Sequence, residues 1–161
     1  MILAVDIGNT NINLGSFKGN KLVSHFCING KSLMQQSTPF PLGASMLNEI
    51  QHIVIASVNP NIESFFYKYL DKKCARKVLK IGKDIHLRMP VLVDKPEKVG
   101  IDRLVNALAA FKRTETSTIV IDFGTALNFD IVSKGREFLG GLILPGLDTS
   151  AYALNKRTAY L

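Results

Sequence analysis

The chain repeats one short pattern, an apolar strand that ends in Asp-x-Gly, at two places 116 residues apart. The first copy, VDIGNTNINLGSF, begins at residue 5, and the second, IDFGTALNFDIVS, begins at residue 121. With this offset, Asp6 falls on Asp122 and Gly8 on Gly124. Each copy reads as a strand, a tight turn, a second strand, a Lys-Gly turn and a third strand. A duplicated β-hairpin unit predicts two related lobes that face each other across a cleft.

Patterns typical of strands and helices alternate around these copies, which indicates an α/β protein. We expect further strands at residues 21–28, 52–58 and 76–82, and helices at residues 42–51, 60–73 and from 103 onward. Residues 29–41 are polar and contain Pro39 and Pro41, so they are expected to form mostly loop. The first lobe is predicted over residues 1–115. Residues 116–161 would begin a related second lobe, which is too short to be more than an incomplete copy.

The composition is that of an ordered globular chain, with 47% hydrophobic and 20% charged residues. No apolar run approaches the ~20 residues of a membrane-spanning helix, and no export signal is visible. Cys27 and Cys74 have neither paired spacing nor a neighbouring histidine cluster, which favours reduced thiols and a cytoplasmic location. The net charge is +7, but the basic residues are scattered and no aromatic residues interleave with them. This pattern argues against a nucleic-acid partner and suits an anionic small molecule.

The repeated turn has residue types that suit contact with phosphate groups. Small turn residues let backbone N–H groups approach phosphate oxygens, and Thr or Asn adds side-chain donors. An aspartate at the strand end can hold a cation, or a water on that cation, that bridges to the phosphates. A single Asp-x-Gly is an ordinary turn. Two of them facing across a cleft predict a nucleotide site suited to phosphoryl transfer.

A third feature is the segment VGIDRLVNALAA at residues 99–110. Asp102 could be the N-cap of a helix that begins at Arg103. It could also be the base that accepts a proton from an attacking hydroxyl, with Arg103 supplying a cation for an anionic acceptor or for the transferred phosphoryl group. The spacing leaves both interpretations open, and one residue could serve both purposes.

Five segments in this order resemble the type III pantothenate kinases: DIGNTNINLG, GIDRLVNALAA, IDFGTALNFDIV, GGLILPGLDTSAYAL and RTAYL. The resemblance runs through essentially the whole chain. It implies the fold of the acetate and sugar kinase/Hsp70/actin superfamily, with duplicated actin-like, ribonuclease H-like lobes. It also implies ATP-dependent phosphorylation of pantothenate to 4'-phosphopantothenate, the first step of coenzyme A biosynthesis. The family enzymes are homodimers that need Mg²⁺ and a monovalent cation, K⁺ or NH₄⁺.

The resemblance also implies roles for individual positions. The ATP phosphate loop would be formed by Asp6, Ile7, Gly8, Asn9, Thr10, Asn11, Ile12 and Asn13. Asp6 would lie near the magnesium and hold it through water, Asp122 would bind the monovalent cation, and Thr125 would contact ATP. Pantothenate would be contacted by Gly100, Ile101, Asp102 and Arg103, with Asp102 as the proton acceptor. The glycine-rich segment from Gly140 to Gly146 would support the site.

Two other functions remain open on the sequence. A non-catalytic nucleotide-binding or regulatory relative of the same family is favoured by the short second lobe and by Val93 and Leu127, where the family usually has tyrosine and threonine. The presence of Asp6, Asp102, Asp122 and Thr125 opposes it. A different kinase or phosphatase of the superfamily is a weaker alternative, because the Gly-Ile-Asp-Arg stretch argues against it.

Overall fold

The structure is a computed structural model that describes residues 1–35, 43–73 and 77–158, without the side chains of residues 44–46, 71–73 and 77. Cys74, Pro39, Pro41 and the last three residues of the RTAYL segment lie outside the described part. The chain divides into two compact units, Met1–His86 and Leu87–Leu161. The lobe boundary expected after residue 115 stays a prediction, while the helix that precedes it belongs to the second compact unit.

The first unit contains one five-stranded sheet. Its strands are β1 Ile2–Ile7, β2 Asn11–Lys18, β3 Lys21–Asn29, β4 His52–Ser57 and β5 Lys77–Lys80, in the order β3-β2-β1-β4-β5. Strand β2 is antiparallel to both β1 and β3, whereas β4 runs parallel to β1 and β5 parallel to β4. The helices are α1 Gly30–Met34, α2 Ala44–Glu49 and α3 Pro60–Lys73.

Helix α1 corrects the loop expected over residues 29–41. The Asn29 side chain accepts hydrogen bonds from the backbone N–H groups of Lys31 and Ser32 at 3.1 and 3.2 Å. An asparagine in this position satisfies donors that the first helical turn leaves free. A short helix therefore begins where the polar composition predicted loop.

The alternating pattern of β1 places Leu3, Val5 and Ile7 on one face of the sheet, where they are 0, 2 and 0% exposed. Helix α3 contributes Phe66 and Leu70 to the same core, at a helical spacing that brings both side chains to one face. The core holds the end of β1 rigidly, which positions the turn that follows it.

The second unit contains a three-stranded antiparallel sheet in the order β6-β7-β8. Its elements are α4 Ile101–Thr114, β6 Thr118–Phe123, β7 Ala126–Val132, β8 Phe138–Pro145 and α5 Leu147–Arg157, with a 3-10 turn at Pro96–Lys98 before them. Helix α4 buries Ala107 against Val132 and Phe138 of the sheet, all 0% exposed. This packing brings the first turn of α4 to β7. No helix formed by the described residues is long and apolar enough to cross a membrane.

The two sheets confirm the duplication predicted from the sequence. Strand β6 begins and ends 116 residues after β1, and each is followed by an antiparallel β-hairpin partner and a third strand. The described residues of the second unit form three strands where the first unit has five. On the face that corresponds to the buried side of β1, Ile119, Ile121 and Phe123 are 63, 49 and 71% exposed. Among the described residues, the second unit is thus an α/β copy of the first with fewer strands. The face of its first strand that corresponds to the buried face of β1 is exposed.

Candidate active site

The first Asp-x-Gly turn joins β1 to β2, and the eight residues predicted to form the phosphate loop cover the end of β1, this turn and the start of β2. Gly8 donates its backbone N–H to the Asn11 carbonyl at 2.9 Å, which closes the turn. Asp6 is exposed near the end of β1, and Asn13, its partner in register, donates Nδ2 to Asp6 Oδ2 at 3.3 Å. The side chains of Ile7 and Ile12 are 0% exposed. These two residues can therefore offer a ligand only their backbone groups.

The second Asp-x-Gly turn joins β6 to β7 and is held by the start of α5. Gly124 donates its N–H to the Ala126 carbonyl at 3.0 Å. The Thr125 carbonyl accepts from the Gly146 N–H at 3.0 Å and from Thr149 Oγ1 at 3.1 Å. A Cβ atom at Gly146 would lie 2.1 Å from the Gly124 oxygen. This close approach is consistent with the supporting role expected for the glycine-rich segment.

Helix α4 begins two residues earlier than one interpretation of its sequence required. Gly100 is the N-cap and Ile101 the first helical residue, so Asp102 is the second. The interpretation that Asp102 caps a helix starting at Arg103 is therefore wrong. The Asp102 carboxylate accepts a hydrogen bond from the Arg103 backbone N–H at 2.8 Å. Asp102 still lies in the first turn, where the helix dipole stabilises a negative charge.

The Arg103 side chain is held by a residue that the sequence reasoning missed. Arg103 donates from both Nε and Nη2 to Oδ1 of Asp130, at 2.8 Å from Nε. Asp130 lies in β7 and is 1% exposed. The guanidinium carbon of Arg103 is 5.5 Å from the centre of the Phe138 ring. The available signal was an acidic residue between the apolar residues Phe129 and Ile131 of a strand, since a buried charge needs a partner.

Asp122 belongs to the same local network. Asn106 of α4 donates Nδ2 to Asp122 Oδ2 at 3.3 Å. Partial burial raises the pKa of Asp122, and the negative charges of Asp102 and Asp130 raise it further. The second unit thus places Asp122 in contact with α4 and within electrostatic reach of Asp102 and Asp130. Residues 6–13 form their own hairpin in the first unit.

Comparisons with known proteins identify the family. A family model described as Type III pantothenate kinase matches residues 2–161. The chain belongs to this family. It is 37% identical over 171 residues to the type III pantothenate kinase of Moorella thermoacetica, covering all of this chain and 66% of that protein. For the Desulforapulum autotrophicum enzyme the identity is 41% over 172 residues, covering all of this chain and 64% of that protein. The chain spans about two thirds of the length of these curated relatives.

Among solved structures, the Aquifex aeolicus Ppx/GppA phosphatase is similar with a TM-score of 0.46 and 14% identity, over 95% of this chain and 55% of that chain. The family match and the curated relatives confirm the family resemblance inferred from the five sequence segments.

The two predicted cation ligands, Asp6 and Asp122, each offer carboxylate oxygens. Among the residues that the structure describes, no group of three or more His, Cys, Asp or Glu side chains could hold a metal ion. Asp122 provides a carboxylate whose pKa is raised by partial burial and also by the nearby charges of Asp102 and Asp130. A bound cation would offset that repulsion. Carboxylate oxygens suit hard cations, and the exposed Asp6 suits contact with a magnesium-bound water.

Proposed function

We propose that this member of the type III pantothenate kinase family phosphorylates pantothenate with ATP, giving 4'-phosphopantothenate for coenzyme A biosynthesis. One observation carries the proposal. The pKa of Asp122, expected as the cation ligand, is raised by partial burial and also by the charge of Asp102, expected as the proton acceptor, which therefore lies within electrostatic reach. Residues predicted from two separate motifs therefore share one small region of the second unit.

In the proposed reaction, Asp102 orients the primary hydroxyl of pantothenate and accepts its proton. The hydroxyl oxygen forms a bond to the γ-phosphorus as the bond between that phosphorus and the ADP oxygen breaks. Because Asp102 stands in the first turn of α4, free backbone N–H groups and the helix dipole favour an anion nearby. Gly100 and Ile101 would contact the acceptor through the backbone that leads into this turn.

The nucleotide would be held by the two Asp-x-Gly turns. Backbone N–H groups of residues 6–13 would approach the phosphates, with Asn9, Thr10 and Asn11 adding side-chain donors. Thr125 would contact ATP from the second turn. Asp6 would hold Mg²⁺ through water and Asp122 would hold K⁺ or NH₄⁺, and these cations, when bound, neutralise phosphate charge. We also propose that the enzyme acts as a homodimer in the cytoplasm, which size measurement and cell fractionation would test.

The decisive experiment compares two aspartates at the same helical position. Asp102 is the second residue of α4, and Asp148 is the second residue of α5; each follows a glycine N-cap. Asp102→Asn should lower pantothenate-dependent ADP release by about 10²-fold or more, because the proton acceptor is lost. Nucleotide binding, measured by calorimetry, should be nearly unchanged. Asp148→Asn removes the same charge from a helix start and should leave turnover intact.

The same assay separates the competing functions. Full activity in Asp102→Asn would reduce Asp102 to a structural residue and contradict the proposed mechanism. If the wild-type chain binds ATP but releases no ADP with pantothenate, with or without potassium, the non-catalytic or regulatory alternative is favoured. Turnover of another acceptor in place of pantothenate would identify a different kinase of the superfamily.

A further inference from the structure

Asp130 carries a charge that neither the predicted phosphate loop nor the predicted acceptor site uses. It is 1% exposed in the middle of β7, opposite Val120 on one side and Gly141 on the other. Burying an ionised carboxylate is unfavourable unless a cation and hydrogen bonds compensate for the lost water. Among the described residues, Arg103 is the cation that forms an ion pair with Asp130.

The contacts between Arg103 and Asp130 set the orientation of the guanidinium group. Nε and Nη2 both donate to the same Asp130 oxygen, and the guanidinium carbon lies over the Phe138 ring at a cation–π distance. The Arg103 side chain is only 14% exposed. Two hydrogen bonds and a cation–π contact leave a planar guanidinium little freedom to rotate.

One edge of the guanidinium group stays available. Among the described residues, none accepts a hydrogen bond from Nη1 of Arg103. Every fully buried side-chain nitrogen or oxygen among them has a hydrogen-bond partner, so an atom without a partner is not fully buried. Nη1 is therefore accessible. The same residue's backbone N–H binds the Asp102 carboxylate. The residue that carries this cationic donor therefore directly follows the expected proton acceptor in the first turn of α4.

We propose that Asp130 is a positioning residue that holds Arg103 so that its Nη1 edge faces an anionic oxygen of the reacting pair. This oxygen belongs either to the carboxylate of pantothenate or to the transferred phosphoryl group, and the inference rests on the proposed function. Arg103 touches the substrate, while Asp130 acts only through Arg103. Without Asp130, the guanidinium group keeps its charge but loses its fixed direction.

The test uses substitutions that preserve shape. Asp130→Asn keeps an acceptor oxygen of the same size but removes the charge that holds Arg103. It should raise the KM for pantothenate about tenfold if Nη1 contacts the carboxylate, or lower kcat about tenfold if it contacts the phosphoryl group. Arg103→Lys, which lacks the planar fork, should shift the same parameter. The double variant should be no worse than Arg103→Lys, because Asp130 acts through Arg103.

A matched control removes another buried, paired carboxylate. Glu63 is 8% exposed and forms an ion pair with Lys80 at 2.6 Å in the first unit. Glu63→Gln should lower the melting temperature without moving KM or kcat. If folded Asp130→Asn keeps both kinetic parameters at wild-type values, or if the effects of Asp130→Asn and Arg103→Lys add fully, the positioning role is refuted.

A second measurement separates failure of this inference from failure of the proposed function. A wild-type chain that neither binds nor phosphorylates pantothenate refutes the proposed function, and the substrate contact of Arg103 falls with it. The orientation of Arg103 is then judged by NMR of its Nε–H group. We expect a slowly exchanging signal in the wild type that is lost in Asp130→Asn. Equally fast exchange in both proteins would overturn the role of Asp130.

Discussion

A methyl group added at Gly146 should separate the start of α5 from the second Asp-x-Gly turn. The Cβ of Gly146→Ala would lie 2.1 Å from the Gly124 oxygen and 2.7 Å from the Thr125 oxygen, whereas ordinary contact begins at 3.4 Å. Both oxygens belong to the backbone, so no side-chain rotation relieves the overlap. Gly146 has φ of −64°, a value that alanine adopts freely. The effect therefore reports the steric clash rather than a backbone preference.

The expected loss of stability follows from these contacts. Overpacking a close contact costs about 1–3 kcal/mol, and stretching the hydrogen bond from Gly146 to Thr125 costs about 0.5–1.5 kcal/mol. A total of about 1.5–4.5 kcal/mol corresponds to a fall in melting temperature of roughly 3–18 °C for a chain of this size. Thermal unfolding followed by circular dichroism measures this fall directly. Because Thr125 moves with the turn, stabilisation of the protein by added ATP should also shrink.

Gly135→Ala is the matched control in the same unit. Its added Cβ would lie 3.3 Å from the Glu137 carboxylate, a side-chain group bonded to Ser133 Oγ that needs to shift by only a few tenths of an ångström. This variant should melt within about 2 °C of the wild type, since removing a glycine also lowers the entropy of the unfolded chain. Equal melting temperatures for Gly146→Ala and Gly135→Ala would refute the claim that the start of α5 holds the turn.

Two further predictions concern the core of the first unit and the acidic network of the second. Phe66→Ala should lower the free energy of unfolding in urea by about 3–5 kcal/mol, because Phe66 is 0% exposed in the core. The control is Lys68→Ala, which changes an exposed side chain of the same helix. Similar losses of stability in both variants would contradict the burial of Phe66 in the core. Burial and the charges of Asp102 and Asp130 raise the pKa of Asp122, so the folded state binds this proton more readily than the unfolded state. The stability that Asp122 contributes is therefore present below its ordinary pKa of about 4 and is lost as the pH rises through the folded pKa. Asp122→Asn should reduce this loss of stability with rising pH, measured as the free energy of unfolding in urea without potassium or ammonium. An unchanged dependence of stability on pH would argue against this prediction.

Much of the architecture could be predicted because it depends on local patterns. The apolar run before Asp6, the small turn residues after it and the next alternating run together specify a hairpin. The same local signals recur before and after Asp122, which is why the duplicated strands match the predicted repeat. The polar stretch that begins at Asn29 misled the prediction, since its capping side chain starts a helix where composition indicates loop.

Sequence patterns predicted only part of the candidate site. Motif spacing identified Asp102, Arg103 and Asp122 as candidates, but their catalytic and binding roles stay predictions. Spacing could not decide whether Asp102 caps the helix, because the start of α4 depends on the backbone angles of Gly100. It also could not pair Arg103 with Asp130, which lies 27 residues further along the chain. That ion pair forms only when α4 packs across β7.

The sequence by itself determined where the two acidic turns fall and which small polar residues they contain, because turns depend on neighbouring residues. The order of five motif segments along the chain indicated the type III pantothenate kinase family, and the family match confirms it. Tertiary structure alone decided which charges become neighbours. The packing of Ala107 against Val132 and Phe138 carries Arg103 to Asp130 and sets Asp102 within electrostatic reach of Asp122. A buried charge selects its partner by three-dimensional proximity, and sequence distance says little about that.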